Sequence, residues 1–258
     1  MKALSKILII ASYTFKEILK SRILYSTVIL GFSLMLVTYV ATEFTYGVPE
    51  KVALDFGLGM LSLSSLGISL FMGATLLTKE IDSRTVYMVI SRPVPRWNFI
   101  VGKITGLMGV LIVNIVILSL FTLLCTSFLG GKFDQVVLLA ILFNILECLM
   151  LLLVVVFLSL FTNNILASLI SISILFVGFA IQETKSTSFV VNRPELGKIL
   201  DFYHLVLPGF YKLNLRDFVV YHQTLDSIYL INSFGYGVLY CSFLLFMIIF
   251  LFNKKNID

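Results

Sequence analysis

Apolar residues in this chain gather into long unbroken runs, separated by short clusters rich in Lys, Arg, Asp, Glu, Ser and Pro. A helix that crosses a hydrocarbon core of about 30 Å needs about 20 mostly apolar residues. Six runs qualify, at approximately 23–41, 56–77, 99–125, 136–160, 164–182 and 230–252. They are continuous and lack the alternation of barrel strands, so helices are predicted for all six. Ahead of the first run, Leu4, Ile7, Leu8, Ala11, Phe15, Ile18 and Leu19 recur at helical spacing, whereas Lys6, Lys16, Glu17 and Lys20 take the other face. This predicts an amphipathic helix over 1–21 that lies along the inner membrane surface and leads into the first span. No small-residue cleavage site follows it, so a signal peptide is not expected. The pattern as a whole predicts an all-α membrane protein, with 1–258 as a single transmembrane domain and no soluble one.

Composition sharpens that picture. Of the residues, 59% are hydrophobic and 13% charged, against about 25% charged in a soluble domain. So little charge cannot clothe a soluble surface of this size, which excludes a soluble enzyme and a disordered chain. The 19 Lys and Arg against 14 Asp and Glu read as topology and not as a nucleic-acid footprint, because basic residues collect on the cytoplasmic side of membrane proteins. Lys2, Lys6, Lys16, Lys20 and Arg22 precede the first span, and Lys79, Arg84, Arg92 and Arg96 lie between the second and third. The alternate short connections hold only Lys51 and Lys132, and Lys254 and Lys255 follow the last span. The expectation is a multi-pass protein of the cytoplasmic (inner) membrane with both termini in the cytoplasm. Cys125, Cys148 and Cys241 each lie inside an apolar run, without metal spacing or a disulfide plan, and read as packing residues.

The connection from Thr78 to Lys103 reads TKEIDSRTVYMVISRPVPRWNFIVGK. Asp82 and Ser83 suit a helix start, Val86, Met88, Val89 and Ile90 supply a short apolar surface, and Pro93 and Pro95 stop the helix because neither has an N–H to donate. The result is a short cytoplasmic helix between two spans, with Arg96 and Trp97 as an interfacial anchor. Such a segment can serve as no more than a basic loop that enforces topology. Its apolar strip, however, is costly in the cytosol unless something covers it, and a partner protein is the simplest cover.

Glu80, Thr85, Ser91, Arg92, Pro93, Val94, Arg96, Gly102 and Lys103 together resemble the intracellular signature of ABC type-2 transporter permeases: an acidic residue, Gly-Thr, an apolar stretch, Ser-x-Pro-Val-x-Arg and Gly-Lys. The six-span plan, the amphipathic N-terminal helix and the long segment before the last span are also similar to that family. The chain departs from the pattern at Arg84, where the family has Gly. The resemblance implies that 80–92 is a coupling helix seated in a groove of a separate ABC ATPase subunit, present in two copies. Glu80, Thr85, Ser91, Arg92 and Arg96 would lie at the contact and Val86, Met88, Val89 and Ile90 would form its apolar part. A second permease subunit, as a homodimer, would complete the exporter. The chain itself has no G-x-x-x-x-G-K-[ST] phosphate loop, since the Gly-Lys pairs at 102, 131 and 197 lack its other members. No cofactor is expected on this chain; ATP and Mg belong to the partner, and the chain is expected to be a non-catalytic subunit.

The segment 183–229 is too long for a simple connector. Leu196, Ile199, Leu200 and Tyr203 recur at helical spacing, Pro208-Gly209 marks a turn, and Phe210, Leu213, Phe218 and Val219 form another apolar set. Two short helices dipped into the outer leaflet fit this pattern, as a helical hairpin before the last span. The resemblance implies that it caps a translocation path and offers a surface to a periplasmic or extracellular partner; by its amphipathic pattern it can equally lie on the bilayer. The two histidines, His204 and His222, lack metal-site companions. No hydrolase or metalloprotease motif occurs, so neither a catalytic nor a metal site is expected.

Within the spans, Asn144 and Glu147 sit one turn apart on the fourth. An ionisable group at that depth costs about 2.5–3.5 kcal/mol on insertion scales, so it should face protein or a watered cavity. Asn114 on the third span is the hydrogen-bond partner this arrangement suggests. Glu147 is either a polar point on the substrate path or glue between helices, and an ion-coupled secondary transporter built on it is the alternative to the permease. Ser65, Ser69 and Gly73 repeat every fourth position, and Gly102 with Gly106 makes a G-x-x-x-G. Both rows allow close approach of helix backbones.

Overall fold

Long apolar runs without internal proline satisfy their backbone groups as helices, and helices are what forms. The computed structural model describes residues 2–20, 23–44, 49–82, 95–131, 134–186, 195, 197, 200, 203, 207–220 and 226–254. Among them the regular elements are α1 (Lys2–Leu19), α2 (Ile23–Glu43), α3 (Pro49–Asp82), α4 (Arg96–Phe128), α5 (Gln135–Ser159), α6 (Asn164–Ser186), a 3-10 turn (Phe210–Lys212), α7 (Arg216–Val220) and α8 (Ser227–Lys254). The protein is thus an all-α membrane protein. Five helices, α2, α3, α4, α5 and α8, are long and apolar enough to cross a bilayer, whereas the apolar part of α6, Asn164–Ala180, is shorter.

Local chemistry sets the helix ends. Pro49 occupies the first position of α3, where a missing N–H costs nothing. Pro95 immediately precedes α4 in an extended conformation. At the other end of α4, Gly130 takes a left-handed φ of 83°, the Gly131 N–H donates to Thr126 O at 2.9 Å and the Gly130 N–H to Ser127 O at 3.1 Å. That pairing closes the carbonyls left open by the last turn.

The helices run in two opposed sets. Ser65 and Ser69 of α3 meet Asn144 and Cys148 of α5, both 79 residues away, so α3 and α5 are parallel and in register. Gly237 of α8 abuts Leu146 of α5 and Phe234 approaches Phe143 at 6.2 Å, which aligns α8 with them. In the opposite sense, α1 and α2 follow α4 one after the other. Ile10 faces Gly102, Thr14 faces Gly106 and Phe15 faces Gly109, then Thr27 bonds Asn114 and Gly31 meets Phe121. Gly57 near the start of α3 touches Thr122 near the end of α4, which opposes the two sets. The four-residue connection between α5 and α6 makes that pair antiparallel.

The core lies along α5. Met150, Leu151, Leu152, Leu153, Val155 and Val156 are all fully buried, and a helix buried through consecutive residues is surrounded on every side. By contrast Leu36 and Tyr39 on α2 and Leu239 and Phe246 on α8 are exposed. Large apolar side chains in that position require lipid as their solvent.

The N-terminal helix, expected to lie along the membrane surface, also has a protein partner: α1 makes its most extensive contact with α4 and runs in the same direction as it over Ile7–Phe15. The reason is the glycine row. A Cβ on Gly106 would stand 2.7 Å from Thr14 Cβ and 2.8 Å from Ala11 O, so only glycine admits α1 at this distance. The apolar face of α1 is therefore satisfied by a helix, and Leu4 and Leu8 remain exposed on its flank.

Candidate functional site

The polar groups at membrane depth are distributed among three helix contacts. Asn114 is buried on α4 and accepts a hydrogen bond at Oδ1 from the Thr27 hydroxyl of α2. This corrects the expectation that it pairs with Glu147. The alignment of α2 with α4 brings Thr27 to Asn114, while Glu147 on α5 faces elsewhere.

Asn144 belongs to the α3–α5 seam. Ser65 Oγ donates to Asn144 Oδ1 at 3.1 Å, Cys148 Sγ donates to Ser65 Oγ at 3.2 Å and Ser69 Oγ donates to the Cys148 carbonyl at 2.6 Å. One turn further, a Cβ on Gly73 would lie 2.9 Å from Val155 Cβ. The row of small residues thus seats α3 directly on α5, and its hydroxyls find partners there that hydrocarbon would not supply. Cys125, Cys148 and Cys241 are free and buried.

Glu147 is 1% exposed, and its Oε1 has no hydrogen-bond partner among the described residues. It lines a small cavity of about 20 Å³ together with Ser62, Asn144, Asn214 and Arg216. Leu58, Leu61, Ala140, Leu213 and Leu215 complete the lining, and a void of that size has room for about one water molecule. Asn144 and Glu147 therefore share a surface, as their spacing requires; Ala140 of their own helix adds to it, and the rest comes from Leu58, Leu61 and Ser62 of α3 and from residues 213–216.

Residues 213–216 belong to a plug. The segment 207–220 enters the end of the bundle where α3, α5 and α8 begin and α6 ends. Phe210 and Leu213 are fully buried, as are Leu215 and Val219. Gly178 of α6 makes room for the entry, since a Cβ there would sit 2.7 Å from Pro208 O. Tyr236 Oη accepts the Gly209 N–H at 2.9 Å, and Tyr229 Oη donates to Lys212 O at 3.4 Å. Arg216 is tied to α3: its Nε donates to Asp55 Oδ1 at 2.8 Å and its Nη2 lies 2.7 Å from the same oxygen. Its guanidinium rests over Gly59, where a Cβ would stand 2.8 Å from Cζ. Of the apolar set expected in this segment, Phe210, Leu213 and Val219 pack inside the protein and not in lipid. Arg216, Asp55 and Asn214 carried no signal in the sequence, because single charges near span ends are ordinary there. The spacing of Leu196 and Ile199 lies outside the described residues, as do His204 and His222.

Of the expected ATPase contact, Glu80 falls in the last turns of α3 and Arg96 is the first residue of α4. Thr85, Val86, Met88, Val89, Ile90, Ser91 and Arg92 lie outside the described residues. Trp97 follows at 38% exposed, and Lys103 lies 3.9 Å from Glu17 of α1. The start of α4 is thereby joined to α1 by charge as well as by the glycine row.

Among the described residues no three His, Cys, Asp or Glu side chains gather as a metal would need. No protein-family model matches this chain, and no curated protein matches it either.

Proposed function

We propose that this chain is the transmembrane permease subunit of an ATP-binding-cassette exporter. It would couple ATP hydrolysis by a separate ATPase subunit to translocation or mechanical work across the membrane. The reading is carried by one observation, the sequence from Glu80 to Lys103 with its apolar strip between two spans. Two features of the fold favour it. α3 and α4 bracket this sequence, so a push on it would reach both helices, and α1 is clamped to the first turns of α4. Alternation of the helix directions along the chain fits six crossings, with α6 as the fifth, both termini inside and the plug at the outer end.

In this reading two copies of the chain enclose the path, and two ATPase subunits bind below, carrying the ATP and Mg. Differential binding supplies the mechanism: ATP favours the closed ATPase pair, and a helix seated in each ATPase shifts the spans between inward and outward arrangements. The plug would act as the outer gate, and 183–229 would be the face open to an outer-side partner. The test is Met88→Asp. It should abolish co-purification of the ATPase from native membranes while insertion and yield stay at wild-type level, and co-purification at wild-type stoichiometry would refute the contact.

A second reading is favoured by the Glu147 Oε1, which has no hydrogen-bond partner among the described residues and faces a small cavity. There the chain is an ion-coupled secondary transporter, driven by a proton gradient without an ATPase. Uptake or efflux by the purified chain in sealed vesicles, lost in Glu147→Gln, would establish it and displace the exporter.

A further inference from the structure

Beside the plug lies a second and larger cavity of about 520 Å³, within the range of small-molecule sites. Its lining combines five rings, Phe176, Phe179, Tyr211, Phe218 and Tyr229, with the carboxylate of Asp217. Three elements contribute: the end of α6, the plug and the start of α8. Phe218 and Tyr229 are held 5.7 Å apart at an interplanar angle of 38°, and Phe179 is backed by the fully buried Phe210 at 6.3 Å. Phe179, Phe218 and Tyr229 are thus held by ring contacts before any ligand arrives.

The charge of this cavity is simple. Burial pushes the Tyr211 phenol up, with the nearby phenols of Tyr236 and Tyr229 adding to the effect, so that ring is neutral at ordinary pH. Asn214 lines the wall without charge. Arg216 is engaged by Asp55, and Asp217 has no ion pair among the described residues. One carboxylate among aromatic rings is the chemistry that recognises alkylammonium groups, because the rings present negative faces and the carboxylate fixes the sign. The protein already uses this chemistry next door: Lys212 Nζ lies over the Tyr236 ring, 4.3 Å from its centroid.

We propose that this aromatic cavity binds an ammonium that carries apolar groups, whether on a free amphiphile or on a lipid headgroup, with Asp217 as its counter-charge. The site needs no ATPase and stands apart from the permease reading. Its test uses the full chain purified in dodecyl maltoside, a neutral detergent without ammonium groups, with benzyltrimethylammonium as the probe in equilibrium dialysis. Saturable binding is expected, weakened roughly tenfold by Asp217→Asn and by Tyr229→Leu, as loss of the counter-charge or of a ring contact implies. Lys212→Met should tighten binding, because it removes a competing cation. Asp226→Asn, a carboxylate at the start of α8 outside the cavity, should leave it unchanged. Displacement of the probe by diheptanoyl phosphatidylcholine assigns the site to a headgroup, and retention assigns it to a free amphiphile; either supports the site. Equal affinity for the neutral isostere 2,2-dimethylpropylbenzene, or wild-type affinity in the folded Asp217→Asn protein, would overturn it.

Discussion

Arg216 and Asp55 stand 161 residues apart in the chain and meet through two nitrogens on one oxygen, Nε at 2.8 Å and Nη2 at 2.7 Å. The pair joins the plug to the second long apolar helix at the end where both enter the bundle. It also anchors Asn214 and Arg216 where they line one cavity with Glu147.

Because both side chains are about 40% exposed, the pair should contribute little on its own, under about 1 kcal/mol as such pairs usually do. Its effect should appear in position instead. Arg216→Ala and Asp55→Ala are each expected to raise hydrogen exchange across 207–220, and the double variant should add little to either single one. Fully additive exchange would mean that the plug is held without this contact.

Gly106 and Gly67 make a matched comparison. A Cβ on Gly106 runs into Thr14 and Ala11, whereas one on Gly67 meets nothing within 4 Å. Gly106→Ala should therefore destabilise the purified protein by about 1–3 kcal/mol, as overpacking does. Gly67→Ala should be neutral or stabilising by up to about 1 kcal/mol through helix propensity. Thermal unfolding in detergent reads the difference, and equal shifts would argue against the α1–α4 contact.

At Glu147 the cavity has room for about one water. Glu147→Leu should then fold better than Glu147→Lys, since the lysine brings a fixed charge into a space that cannot hydrate it. Equal yields of the two variants, read by size-exclusion chromatography, would show the site to be open to bulk water.

The charge census makes a topological prediction. A cysteine replacing Ser188 should react with an impermeant maleimide added outside intact cells, and one replacing Ser83 only after the inner face is opened. Reversed labelling would invert the orientation and place the plug on the cytoplasmic side.

The relation between sequence and structure differs by element. Helix positions were legible because hydrophobic length is a one-dimensional property: all six apolar runs lie on helices, although α3 and α4 extend well past the runs that mark them. The close contacts of Ser65, Ser69 and Gly73, and of Gly102 and Gly106, were legible as a need for close packing, since small side chains at four-residue spacing make a groove whatever lies in it. What fills each groove was not. The α3 row takes α5 and the α4 row takes α1, so one side of the N-terminal helix packs on protein while Leu4 and Leu8 stay exposed.

The polar site shows the same division. Asn144 and Glu147 share a face because they are one turn apart on a single helix, and that was determined by the sequence alone, as was the membrane class. Tertiary structure alone decided that Asn114 belongs to Thr27, that Phe210 and Leu213 are core residues, and that Arg216 reaches Asp55. Apolar length and helical period act within one segment and can be read along it. Which faces meet depends on helix direction, crossing and register, which arise only when the segments pack against one another.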